Sequence, residues 1–195
     1  MKTIYNLFFL LSFIVSFGQE TAKEFQENLN KEYANKEESP LMKEDLEHFQ
    51  SLDFFPINDE FLVQATFKRT KKEKVFEMKT STERLPLYKK YGELEFTIDG
   101  VLCKLNVYQN MSLFKKPGFK DYLFLPFSDL TSGNESYIGG RYVDLRIQKG
   151  NQWIIDFNKA YNPYCAYNYK YSCPIVPMEN DLKVSILAGV KKFHD

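Results

Sequence analysis

Histidine, cysteine and excess charge are all scarce in this chain, and each scarcity excludes something. The 195 residues include two histidines and three cysteines, and 26 basic residues balance 26 acidic ones. A chain without a basic excess lacks the electrostatic surface that nucleic acid requires, so we predict no nucleic-acid partner. His48 and His194 have no metal-ligating partners at suitable spacing, so we predict no bound metal.

The motifs of the common enzyme classes are also missing. The sequence contains no Gly-x-Ser-x-Gly elbow, no Walker phosphate loop and no dinucleotide-binding fingerprint. We therefore predict no cofactor, and the sequence alone leaves open whether the protein is an enzyme.

Long apolar runs are confined to the first residues. Lys2 is followed by a compact apolar stretch, Leu7–Val15, and by the small residues Ser16 and Gly18. This pattern is typical of a signal peptide at residues 1–18, cleaved between Gly18 and Gln19. We expect an exported protein, periplasmic or secreted, with no transmembrane segment after the signal is removed.

The residues that follow predict two helices. Thr21 and Glu24 form a capping-box pattern, and an apolar stripe at helical spacing comes next: Ala22, Phe25, Leu29 and Tyr33. Ser39-Pro40 then predicts the start of a second helix, whose apolar face would carry Met42, Leu46 and Phe49.

From Phe61 onward the apolar period is two, which indicates strands. The clearest hairpin turns at Asp99-Gly100 and pairs Ile98 with Val101, which places Cys103 opposite Phe96 as a buried thiol. Leu182, Val184 and Ile186 indicate a last strand. Residues 19–195 are thus predicted as a single mainly-β domain, an antiparallel sandwich or partly closed barrel with two N-terminal helices packed against it.

The loop at residues 158–177 is rich in tyrosine, asparagine and proline, and contains Cys165 and Cys173. In an exported protein, two cysteines this close favour a disulfide, ahead of a metal site that lacks nearby histidines. Tyr167, Tyr169 and Tyr171 alternate, so their rings would share one face of an extended segment. Packing in the core is favoured for them over a stacking platform for a ligand.

A second predicted hairpin joins residues 141–148 to residues 153–158. If its apolar residues share a face, Asp144 and Asp156 stand opposite each other on the other face. Two adjacent carboxylates need a shared proton, a cation or an arginine. Arg146 and a solvated face are the simpler compensation.

Several segments resemble the bacterial Domain of Unknown Function 1684 family: residues 124–131, 139–144, 156–167, 173–177 and 188–189. The resemblance covers roughly residues 38 to 192. Where that family often has Ala-Gly-Glu, this chain has Ala188-Gly189-Val190, so no role of that glutamate is carried over. The resemblance implies no established activity.

The preferred functional prediction is an exported binding module for a small ligand, with its site at the 128–140 and 158–177 loops. The alternatives are a carboxylate-dependent hydrolase using Asp144 and Asp156, and a protein that interacts with a cell-envelope partner. The candidate polar cluster comprises Asp129, Arg141, Asp144, Asp156, Asn158, Tyr161 and Asn162.

Overall fold

Residues 20–194 are described by the computed structural model, so the predicted signal peptide and its cleavage site lie outside the described residues. The first element is helix α1, Ala22–Ala34. The backbone N–H of Glu24 donates to the Thr21 hydroxyl, and the Glu24 carboxylate accepts from the Thr21 N–H at 2.8 Å. The predicted capping box is therefore confirmed.

The second helix is shorter than predicted. Helix α2 runs only from Lys43 to His48, and none of its residues is buried. The Ser39 hydroxyl accepts from the Leu41 N–H, which makes a local turn before the helix begins. The prediction of two N-terminal helices packed against the sheet is wrong: only α1 is longer than two turns. Its buried residues Leu29 and Tyr33 pack with Tyr167 and Val190.

Seven strands form one antiparallel sheet shaped as a half-barrel. The strands are β1 (Leu62–Arg69), β2 (Val75–Glu77), β3 (Leu87–Ile98), β4 (Val101–Asn110), β5 (Tyr122–Phe127), β6 (Arg141–Arg146) and β7 (Gln152–Asp156). Their order is β6-β5-β4-β3-β1-β7, with β2 pairing on β3. The mainly-β, antiparallel prediction is confirmed.

The Asp-Gly hairpin has the predicted register. Ile98 pairs with Val101 and Phe96 with Cys103. Asp99 and Gly100 both adopt positive φ, 51° and 75°, as this two-residue turn requires. Cys103 is a buried free thiol.

The predicted second hairpin is wrong in its pairing. β6 pairs with β5, which places Asp144 opposite Phe124, and β7 pairs with β1, which places Asp156 opposite Leu62. Alternation fixes which face of a strand is buried but not which strand lies beside it. The side-chain amide of Gln148 both donates to and accepts from the Ile154 backbone at 2.8 Å, in place of a strand partner.

Both faces of the sheet carry packed apolar clusters. Its inner face contributes a large aliphatic core that includes Leu94, Leu105, Leu125 and Ile155. Its outer face carries a second cluster, Met78, Tyr88, Tyr108, Phe124 and Tyr142. None of the helices between residues 20 and 194 has both the length and the apolar character needed to cross a bilayer.

Candidate functional site

The predicted polar cluster separates into a buried structural node and an accessible pocket. The node is formed by Asp129 and Arg141, whose side chains are fully buried and joined at 2.6 Å. The N–H of Thr131 donates to the second oxygen of Asp129 at 2.7 Å. Burial lowers the pKa of the Arg141 guanidinium, and the Asp129 charge opposes that shift.

The predicted last strand at residues 182–186 is not formed in the described structure, and Arg141 instead binds carbonyl groups of this segment. Its guanidinium donates to the carbonyls of Ile186 and Ala188. Residues 182–188 bury alternate side chains and bend at 183–184, and residues 182 and 184 hydrogen-bond to the backbone of residues 128 and 130. Asp129 and Arg141 therefore hold the C-terminal segment onto the core and contact no cavity.

Gly140 lets Arg141 enter this node. Its φ is +81°, and a Cβ at this position would lie 2.5 Å from the Phe127 carbonyl oxygen. A side chain is excluded there both by conformation and by space. The turn before β6 is thereby fixed, and the Arg141 side chain points inward.

Three other predicted residues connect segments of the chain. The Asn158 amide exchanges two hydrogen bonds with the Asn58 backbone, at 2.9 and 3.0 Å. Asp156 accepts from the backbone N–H of Asn158 and caps a short 3-10 turn. The Asn162 amide donates to the Lys191 carbonyl at 2.8 Å, while its own oxygen is buried without a partner among the described residues.

Asp144 and Tyr161 lie together at a different place, on the outer face of the sheet. The Tyr161 hydroxyl donates to Oδ1 of Asp144 at 2.7 Å, and the Tyr122 hydroxyl donates to the same atom at the same distance. No residue between 20 and 194 donates to Oδ2. Asp144 as a whole is exposed, so this second oxygen has no hydrogen-bond partner in the described part of the chain.

Aromatic rings surround this carboxylate closely. Desolvation by these neighbours raises the pKa of the Asp144 carboxyl above its ordinary value of 3.8, and the hydrogen bonds from Tyr161 and Tyr122 and the charge of Arg146 oppose the rise. Burial, followed by the Asp144 charge, raises the pKa of both Tyr122 and Tyr161. Both hydroxyls therefore remain neutral donors at physiological pH.

Asp144 lines a cavity of about 680 Å³, which we call the tyrosine pocket. The cavity lies between α1 and the outer face of the sheet. The sheet contributes Tyr88, Tyr122, Phe124, Tyr142 and Asp144; α1 contributes Phe25, Leu29 and Glu32; the remaining walls are Leu113 and, from the 158–177 loop, Tyr161, Pro163, Tyr164, Ser172, Cys173 and Pro174. Its volume is in the usual range for small-molecule sites.

The rings of the pocket support one another in edge-to-face contacts. The centroids of Phe124 and Tyr142 are 4.7 Å apart at 72°, and those of Tyr142 and Tyr161 are 5.9 Å apart at 89°. The Tyr142 hydroxyl donates to the Pro174 carbonyl, which ties the 158–177 loop to the sheet. The Tyr164 hydroxyl donates to Glu32 and ties the same loop to α1.

A smaller cleft lies on the other side of Asp144. It has a volume of about 190 Å³ and separates the two end strands of the sheet, β6 and β7. Asp144 and Asp156 both line it, with Lys159 and Glu20 at its mouth. The two predicted carboxylates therefore share a cleft, although they do not face each other in a paired hairpin.

Cys165 and Cys173 are in contact, and both are free thiols in this structure. The backbone N–H of Cys165 donates to the Cys173 sulfur at 3.2 Å. The hydrogen bond between the thiols lowers the pKa of Cys165 to about 6 and raises that of Cys173. The structure does not contain the predicted disulfide, which stays a prediction, but it brings together the two residues that the bridge requires.

Other parts of the two predicted loops lie elsewhere. The 128–140 loop does not line the tyrosine pocket. Tyr167 is buried in the core, whereas Tyr169 is 82% exposed. The expected common face of the alternating tyrosines is wrong because residues 167–171 turn and are not extended: the Tyr171 N–H donates to the Asn168 carbonyl at 3.1 Å.

Several pocket residues were not anticipated from the sequence: Glu32, Tyr88, Tyr122, Phe124, Tyr142 and Tyr164. One signal pointed to some of them. The run Tyr122–Phe127 is apolar at nearly every position, which indicates a strand covered on both faces. Glu32 carried no signal, because it lies on the polar side of an amphipathic helix.

Comparisons with known proteins place this fold in a family. The sequence profile described as "Protein of unknown function (DUF1684)" matches residues 47–191. The chain belongs to this family. The resemblance drawn from segments such as 139–144 and 156–167 is thereby confirmed.

One solved relative of this DUF1684 chain has a similar fold. It is the solution NMR structure of an uncharacterized protein from gene locus rrnAC0354 of Haloarcula marismortui, with a TM-score of 0.69 and 29% sequence identity. The match covers 87% of this chain and 91% of that one. No curated protein matches the chain. Neither description states an activity, so function must be argued from the pocket.

Proposed function

We propose that this protein is a binding module that holds a small organic ligand in the tyrosine pocket. The observation that carries the proposal is a cavity of about 680 Å³ whose wall is largely aromatic and contains one oriented carboxylate, Asp144. Apolar walls with a few fixed polar groups are typical of ligand sites, because the walls give affinity and the polar groups fix orientation.

The hydrogen bonds around Asp144 suit binding. Tyr122 and Tyr161 fix one carboxylate oxygen, which leaves the other at a defined position beside the cavity. Such a carboxylate is oriented before the ligand arrives, so little conformational freedom is lost on binding.

A library of sugars, amino acids, amines, carboxylates and nucleosides, screened by thermal shift, tests the proposal. At least one class should raise the melting temperature. Leu113→Trp should abolish that shift, because an indole at this half-buried wall position would fill the cavity. Ile138→Trp is the matched control, since Ile138 is 77% exposed and does not line the pocket. A shift that survives Leu113→Trp would place the ligand elsewhere, and no shift from any class would refute the proposal.

A hydrolase is the second candidate, favoured by the cleft that Asp144 and Asp156 share. Asp144, with its raised pKa, would act as the acid and Asp156 as the base. The use of Asp156 as a turn cap counts against this candidate. Turnover of generic ester or glycoside substrates that both Asp144→Asn and Asp156→Asn abolish would establish the hydrolase in place of the binding module.

We also propose that the chain is exported and meets its ligand, or an envelope partner, in the periplasm or outside the cell. The intact mass of the native product should then correspond to a chain that begins at Gln19. In an oxidising compartment the contact between Cys165 and Cys173 supports closure of a disulfide. Non-reducing peptide mapping of natively produced protein tests this. Retention of residues 1–18 would exclude processing, and two alkylatable thiols at Cys165 and Cys173 would exclude the bridge.

A further inference from the structure

We infer that the tyrosine pocket takes an organic ammonium cation attached to an apolar body. This inference rests on the proposed binding function and adds the chemical class of the ligand. It is carried by three features of the pocket: the sign of its charge, the aromatic character of its wall, and the apolar residues that make up much of the rest of the lining.

The lining offers negative charge only. Among residues 20–194, Asp144 and Glu32 are the carboxylates that line the cavity, and no lysine, arginine or histidine of this range does. The lining tyrosines and Cys173 all have raised pKa values, mainly because of burial for the tyrosines and because of the contact with Cys165 for the thiol. These groups therefore remain neutral at physiological pH. A ligand anion would enter with no compensating charge, whereas a cation would find two carboxylates.

Two arginines lie outside this wall, and both are already engaged. Arg84 donates to the side chain and the carbonyl of Ser172 at 3.0 and 2.6 Å. Arg146 donates to the Gly118 carbonyl and to Asp121 at 2.6 and 2.8 Å. Neither arginine donates a hydrogen bond to Asp144 or Glu32, although the charge of Arg146 lowers the pKa of Asp144.

The aromatic wall adds a second attraction for a cation. Ring faces carry negative electrostatic potential, so an ammonium held against them is attracted. Tyr122, Tyr142 and Tyr161 lie around Asp144, so a cation at its open oxygen would lie among rings.

The rest of the wall suits an apolar body. Phe25, Leu29, Leu113, Pro163 and Pro174 contribute carbon surface to the lining. A metal ion or a small hydrated cation would leave this surface unused. An ammonium with an aromatic or aliphatic substituent uses both parts of the cavity.

Three probes that share one body but differ in charge test the inference: phenethylamine, phenethyl alcohol and phenylpropionate. Affinities are measured by NMR titration of the folded protein at neutral pH. The amine should bind at least about tenfold more tightly than the alcohol, and the carboxylate should show no saturable binding.

Two variants test whether the charge of Asp144 causes the preference for the amine. Asp144→Asn should weaken amine binding several-fold while leaving alcohol binding unchanged, because only the charge is removed. Glu95→Gln is the matched control, since Glu95 lies on β3, does not line the pocket and pairs only with the exposed Lys104. It should change neither affinity.

Failure of the inference is distinguishable from failure of the proposed function. If the alcohol or a neutral sugar binds as tightly as the amine, and Asp144→Asn changes no affinity, the preference for a cationic ligand is refuted. The proposed binding function is then unaffected. If none of the three probes binds at millimolar concentration, the inference is also overturned. The library screen with Leu113→Trp then decides separately whether the pocket binds anything.

Discussion

The hydroxyl of Tyr161 donates to Oδ1 of Asp144 across 2.7 Å and joins the 158–177 loop to the outer face of β6. The same loop returns to β6 through Tyr142, which bonds to the Pro174 carbonyl. A segment without regular strands is thus anchored on both sides of the pocket. These contacts hold the loop against the sheet at the pocket wall, where Asp144 is one of the two lining carboxylates.

Stability should depend on pH through Asp144. Its pKa is raised in the folded protein, so the folded state holds the proton more tightly than the unfolded chain does. The stabilisation is complete below the ordinary aspartate value of 3.8 and is lost as pH rises through the folded pKa. Urea unfolding of wild type and Asp144→Asn between pH 3 and 8 measures the difference, because the variant lacks this titration.

The free energy of unfolding of wild type, relative to that of Asp144→Asn, should decrease as pH rises. Tyr122 and Tyr161, which donate to Asp144, have raised pKa values and stay protonated in this range. A difference that is constant or that increases with pH would contradict the environment described for Asp144.

The buried ion pair between Asp129 and Arg141 should contribute strongly to the free energy of unfolding and should not affect ligand binding in the tyrosine pocket. Asp129→Ala leaves the Arg141 guanidinium buried without its counter-charge and should cost about 3–5 kcal/mol. Asp121→Ala breaks an ion pair whose two side chains are about half exposed and should cost less than about 1 kcal/mol. Urea denaturation compares them. Similar small losses from both would show that the buried pair does not hold the C-terminal segment.

Asp156 should behave as a capping residue. Asp156→Ala removes the acceptor of the Asn158 N–H and should destabilise the fold by about 1 kcal/mol. Asp156→Asn keeps an acceptor oxygen and should cost less. Ligand binding in the tyrosine pocket should be the same in both variants, and a loss of binding in Asp156→Asn would place the site in the cleft between β6 and β7.

The three cysteines should differ in their reaction rates. Cys165 is half-buried, and its pKa is lowered to about 6, so at pH 7 it should be the first to react with iodoacetamide in reduced protein. Cys103 is buried, and burial raises its pKa, so it should react only after unfolding. Peptide mapping over time measures the order.

Cys173→Ala supplies the control for this order. It removes the thiol that bonds to Cys165 and should slow the labelling of Cys165 at pH 7 while leaving Cys103 protected. Equal labelling of Cys165 with and without Cys173 would show that the contact does not activate it.

Local patterns predicted local structure well. The capping box at Thr21 and the turn at Asp99-Gly100 were both predicted correctly, because a few neighbouring residues determine each of them. Partner choice is different. The alternation in residues 153–157 is compatible with pairing to β6 or to β1; the strand pairs with β1, and the sheet stays open between β6 and β7.

The site was predictable in part for the same reason. Asp144 and Tyr161 were both singled out, but the residues that complete their pocket come from α1, β3 and β5 and carry no shared motif. Asp129 and Arg141 were included in the candidate cluster because charged residues are typical of functional sites. Only the fold shows that their charges are used to hold residues 186–188.

The most direct test of the tyrosine pocket is an NMR titration of protein with labelled tyrosine rings, using phenethylamine as the probe. The ring signals of Tyr122, Tyr142 and Tyr161 should shift together and saturate at one affinity. Tyr91, which stacks beside Phe67, and the exposed Tyr169 should not shift. Shifts confined to Tyr91 or Tyr169, or no shift at any of the three pocket tyrosines, would contradict the assignment of the tyrosine pocket as the binding site for this ligand class.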